Sequence, residues 1–121
     1  MNTTRSLTLC ALAVAACAIT AGTARAEFAA WEVAGVAWGD TLNARKYPAS
    51  TSQKQSAYPN GTVLQMTGRC TGGVNVLDIA GQPKWQQRQA VRTKWCEIWH
   101  DPKHSGDFVT GWVYGKYIRP D

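Results

Sequence analysis

The chain has 121 residues, 45% apolar and 17% charged, with six Trp, four Cys, 11 Gly and a formal charge of +5. That length holds one domain, and the composition excludes a multidomain enzyme, a disordered tail and a cysteine-rich knottin. Much of the apolar fraction sits in residues 1–26, where a run from Leu7 to Ala21 lies between Arg5 and Ala24-Arg25-Ala26.

Residues 1–26 have the three parts of a secretory signal peptide: a short cationic start, an apolar stretch and an A-x-A site before Glu27. The apolar run is about fifteen residues, shorter than the roughly twenty a bilayer span needs, so it reads as a removable leader. A second processing site overlaps it. Val14-Ala15-Ala16-Cys17 resembles a bacterial lipobox, and acylation at Cys17 would leave the chain lipid-anchored in the envelope; otherwise no stable membrane insertion is expected. Either route places the domain in the periplasm or outside the cell, where disulfides persist and nucleic acid is not an expected partner. Residues 27–121 carry 11 Lys and Arg against 8 Asp and Glu, all six Trp and two Cys. A charge of +3 is too small to mark a polyanion-binding specialist.

In residues 27–121 the pattern is one of short strands between turn signals. After a leader, EFAAWE, the segment Val33 to Trp38 reads as the first strand, closed by Gly39-Asp40. Leu42-Asn43-Ala44-Arg45 alternates with period two, turning Leu42 and Ala44 inward. Lys46 to Gln55, rich in Ser and Thr and without apolar periodicity, reads as a long exposed loop. Tyr58-Pro59-Asn60-Gly61 is a turn, since Pro presets one dihedral and Asn-Gly accepts positive φ.

Thr62 to Cys70 follows as a strand with Leu64, Met66 and Cys70 on one face in the absence of a bulge. Gly72-Gly73 opens a different stretch, in which VNVLDI is a strand or one helical turn and Gly81-Gln82-Pro83 is a break. Lys84 to Lys94 predicts a short helix with Trp85, Ala90 and Val91 as a narrow apolar stripe. Its cations, Lys84, Arg88, Arg92 and Lys94, read as spread around the helix in a solvated face, with at most a weak attraction to anionic polymers or headgroups. Trp95 to His100 predicts a strand with Cys96 and Ile98 on one face and Trp95, Glu97 and Trp99 on the other. The end supplies a strand around Gly111-Trp112-Val113, then a tight turn at Gly115-Lys116 before Tyr117-Ile118.

The order LNAR, polar loop, YPNGT, alternating strand, WCEIW and GWVYGKYI resembles the bacterial SH3-like domain family over about 85 of these 95 residues. LNAR looks like the family's LNxR, Gly61-Thr62 with Leu64 and Met66 its GTxVxV, and Gly111 to Val113 with Lys116 to Ile118 its GWVxxxYL close. The resemblance implies a mainly β domain over 27–121, a small five-stranded, partly open SH3-like barrel. The 24 residues between Cys70 and Trp95, where the family has only a few, imply a short helical insertion over 71–94.

On that arrangement Cys70 and Cys96 fall on neighbouring strands, and the expected product is a disulfide across the base of the insertion. A Cys₂His₂ metal site from Cys70, Cys96, His100 and His104 is the sharper alternative, but Asp101-Pro102 interrupts the two His, so no metal and no cofactor are expected. A Cys–His hydrolase on Cys96 and His100 needs a thiolate that oxidation removes, and Asp101 with Asp107 lies in a turn-rich stretch, so the chain reads as no enzyme. A small envelope hydrolase is kept as a minor reading. The aromatics are the remaining resource: Tyr47, Trp99, Trp112, Tyr114 and Tyr117 form the candidate groove of the SH3-like arrangement. The resemblance then implies a non-catalytic module binding peptidoglycan or its peptide stems through that groove. The alternative is an envelope protein partner held by the 71–94 insertion.

Overall fold

The computed structural model describes residues 29–121; the expected leader, its cleavage site and Cys17 lie outside the described residues. Seven strands form one antiparallel sheet: β1 (Ala29–Val33), β2 (Leu42–Arg45), β3 (Lys54–Tyr58), β4 (Val63–Cys70), β5 (Trp95–His100), β6 (Val109–Tyr114) and β7 (Ile118–Pro120). A helix, α1 (Lys84–Val91), and two 3₁₀ turns, Thr71–Gly73 and Gly115–Tyr117, complete the described elements. The strand order is β3-β2-β6-β5-β4-β1-β7, so β3 and β7 are the edges and the sheet is open.

The mainly β expectation holds, but the strand count is seven where five were expected. One addition lies where EFAAWE was read as a leader: Trp31 and Val33 both turn inward, Trp31 paired with Leu64 of β4 and Pro120 of β7, Val33 with Ile118 of β7. The strand stops at Val33, and the stretch predicted as strand up to Trp38 is instead a loop, held where Asn60 donates to the Val36 carbonyl at 2.9 Å and accepts from its N–H at 3.1 Å. The second addition, β3, occupies the end of the segment read as loop. As an edge strand packed on only part of its surface, KQSAY needs no apolar alternation to be stable there.

Burial alternates along β2 and β4, whereas the central strands β5 and β6 bury residues on both faces, Glu97 and Trp112 among them. Leu42 and Ala44 are buried, as are Leu64, Met66 and Cys70 along β4. A bulge does intervene: Met66 pairs with Ile98 and Cys70 with Cys96, so β4 advances four residues while β5 advances two. The even difference preserves parity, which is why Cys70 still faces the core. Gly68 sits at the bulge with φ of 111°, and a side chain there would strike Asn75 and Leu77 of the insertion.

The insertion is tied down at both ends. Cys70 and Cys96 form a disulfide with S–S 2.08 Å, which fits a compartment where disulfides persist. VNVLDI is neither strand nor helix but a series of turns with one bridge, Arg69 to Asn75, and with Val76 fully buried. The helix ends at Val91, three residues short of the predicted limit, and its buried face is Gln87 and Val91. Trp85, expected in the apolar stripe, is 65% exposed. Gln87 takes an inward place because its Nε2 donates to the Ala80 and Gln82 carbonyls, so its amide is satisfied under the turn. Trp31, Met66, Ile98, Val113 and Ile118 form the centre of one core, which Val91 caps from α1. Among the described residues no helix is long and apolar enough to cross a membrane.

Candidate functional site

Trp95 pairs directly with Tyr114 across β5 and β6, which puts both side chains on the outer face of the sheet with ring centroids 5.2 Å apart. Gly115–Tyr117 then turns the chain so that the Tyr117 ring lies 6.4 Å from that of Tyr114. Asn43 and Arg45, the outward residues of β2, and Ser50 of the following loop form the opposite wall of a groove of about 400 Å³. Arg45 is its one charged lining residue. Its Nη1 donates to the Ser52 carbonyl at 2.8 Å, and Ser52 Oγ accepts from the Tyr47 N–H, so the loop wall is fixed by the same residue that supplies the charge.

Of the five aromatics predicted for one groove, the structure brings together Tyr114 and Tyr117. Tyr47 is 61% exposed, on the loop but outside the groove lining, with Lys46 Nζ 5.6 Å from its ring. Trp112 lies opposite Glu97 in register, is only 9% exposed and is roofed by the Arg69 guanidinium at 5.2 Å. The Glu97 carboxylate accepts from Arg69 and from Thr67 at 2.9 Å each, which explains why an outward-facing acid is buried. Trp99, 43% exposed, stands on a separate shelf with Val63, Gln65, Asp101 and Phe108 around a cavity of about 210 Å³.

Sequence reasoning missed Trp95, Asn43, Arg45 and Ser50 as groove residues. Parity carried the signal for three of them: Asn43 and Arg45 are the outward members of LNAR, and Trp95 is the outward start of WCEIWH. What parity could not provide was the register that sets Trp95 against Tyr114.

Four of the residues weighed for catalysis or metal, Cys70, Cys96, His100 and Asp101, have partners within the fold. The disulfide leaves neither Cys70 nor Cys96 as a thiolate. His100 is buried among strands, with Nδ1 at 2.7 Å from the Tyr58 hydroxyl and Nε2 at 3.0 Å from Gln55 Oε1, while His104 is exposed on the 101–108 loop. Burial holds the His100 pKa below its ordinary value, with the Asp101 charge opposing. Asp101 accepts from the Ser105 and Gly106 N–H groups. Its pKa is held down, chiefly by the Gly106 bond, so it closes a turn.

No family model matches the chain, and it has no match among curated proteins or solved structures.

Proposed function

We propose that the chain is a non-catalytic binding module of the cell envelope, SH3-like in architecture, that takes peptidoglycan by its peptide stems in the groove of Arg45, Trp95, Tyr114 and Tyr117. The reading rests on the motifs LNAR, Gly61-Thr62 and GWVYGKYI standing in the order of that family, and on one structural observation. Three aromatic rings and one arginine converge on an open groove at the end of β2, β5 and β6.

The chemistry suits an extended peptide. Trp95, Tyr114 and Tyr117 offer flat apolar faces at low cost in side-chain entropy, while Asn43 and the tyrosine hydroxyls can pair with a peptide backbone. Arg45 gives a fork for a carboxylate, of which wall peptides carry several. A leader on residues 1–26 would deliver the domain to the periplasm or beyond, in keeping with the disulfide.

Co-sedimentation with purified peptidoglycan tests the reading. Wild type is expected in the pellet, and Tyr117→Ala and Arg45→Gln are each expected to weaken capture about tenfold, the effect of truncating a central contact. Trp99→Ala, on the separate shelf, is expected to bind as wild type. Capture that is absent, or equally reduced by all three, would sink the groove assignment.

A further inference from the structure

The charge of this protein is unevenly placed. Four of the eleven cations in residues 27–121, and none of the eight acids, lie between Lys84 and Lys94, so the remainder of that stretch is left at −1. The whole positive excess therefore belongs to α1 and the turn after it. At 3.6 residues per turn, Lys84, Arg88 and Arg92 stack at four-residue spacing, and Trp85 falls beside them, all within an arc of about 100°. Arg92 caps the helix with helical φ and ψ, so it extends the stripe. Lys94 does not join it, because its side chain runs back against Gly72. The sequence reading of charges spread around the helix thus fails for three of the four.

All four stripe residues are exposed, while Gln87 and Val91, on the adjoining face, anchor the helix to the sheet. Beside the stripe, Lys84, Trp85 and Arg88 share a cavity of about 390 Å³ with Arg119 of β7, whose charge is balanced within that cavity. The acids near this cavity are Glu32, which Arg119 engages at 2.6 Å, and Asp121.

We propose that this face of α1 docks the protein on an anionic lipid bilayer, lying on the surface without crossing it. The stripe's charge complements acidic headgroups. The neighbouring indole, 65% exposed, has the amphipathic character that settles at the headgroup boundary. The disulfide favours a compartment bounded by membranes and poor in nucleic acid. This surface is distinct from the proposed peptide groove, whose lining shares no residue with it.

Vesicle co-sedimentation of residues 27–121, a stretch that contains every element of the described core, tests the proposal, with circular dichroism confirming the fold of each variant. Wild type is expected to bind phosphatidylcholine vesicles containing phosphatidylglycerol at low salt, and to ignore pure phosphatidylcholine. The triple change Lys84→Gln, Arg88→Gln, Arg92→Gln is expected to weaken binding about a hundredfold, roughly fivefold per cation. Trp85→Ala should weaken it further. A triple variant matched in charge, Lys54→Gln, Lys103→Gln, Lys116→Gln, should bind nearly as wild type. The proposal is overturned if acidic vesicles are not bound, if the matched variant loses as much as the stripe variant, or if a soluble polyanion binds equally well with Trp85→Ala indifferent.

Discussion

His100 holds edge strand β3 to the body of the sheet through both nitrogens of one ring. Gln55 presents an acceptor to Nε2, which places a proton there; in the neutral ring Nδ1 then accepts from the Tyr58 hydroxyl. Burial favours the neutral imidazole and lowers its pKa, against the opposing charge of Asp101. In the unfolded chain the ring takes its proton near pH 6.5. Between that pH and the lower folded value the unfolded state binds more protons, so stability is intact above about 6.5 and falls as the pH drops below it. The melting temperature is therefore expected to be lower at pH 5 than at pH 7.5, and His100→Gln, itself less stable, should flatten that difference. Asp101 titrates in a separate window: its pKa is depressed, so its contribution is present above about pH 3.9 and lost only below it. Equal melting temperatures at pH 5 and 7.5 in the wild type would contradict this account of His100. Parity with Cys96 and Ile98 turns His100 inward, but its partners were not legible in the sequence, because they lie 42 and 45 residues away on a strand that was itself unread.

At the level of elements, α1 meets the sheet by a backbone approach that tolerates no side chain. A Cβ on Gly115 would overlap the Val91 carbonyl and come within 2.9 Å of the Lys94 oxygen, which the Gly115 N–H already engages at 2.7 Å. Gly115→Ala is expected to cost about 3 kcal/mol, the upper range for overpacking, read as a lower midpoint in urea with an unchanged slope. A variant as stable as wild type would mean that α1 does not seat on the 3₁₀ turn as described. The disulfide acts on the same connection by closing a loop of 26 residues' separation. Its reduction is expected to cost about 3 kcal/mol in the same measurement, whereas no effect would mean that the Val76 and Val91 packing alone secures the insertion. Elements inside the sheet were legible, since LNAR and VLQMTGRC must alternate to bury one face. Edge strand β3 was not, because partial burial puts little demand on its composition, and β1 was obscured by its place next to the leader. In α1 the signal for Gln87 was its four-residue spacing from Val91, masked by the polarity of its amide.

Across the whole molecule, exposed aromatic and cationic side chains gather in three separate places: the aromatic groove at the end of β2, β5 and β6, the Trp99 shelf, and the cationic stripe of α1. Composition put six Trp in a small β domain. It could not assign rings to faces. Trp112 serves as packing beneath Arg69, Trp99 is isolated from the groove, and Trp95 belongs to it, each decided by strand register that one sequence does not display. The central claim is that wall peptides occupy the groove, and its most direct measurement is a titration of isotope-labelled protein with soluble peptidoglycan fragments, followed by backbone and indole NMR shifts. Saturable shifts concentrated at Asn43, Arg45, Ser50, Trp95, Tyr114 and Tyr117, and lost in Tyr117→Ala, are the predicted result. Shifts confined to Trp99 and Phe108, or to Lys84 through Arg92, or no shifts at saturating fragment, would contradict it.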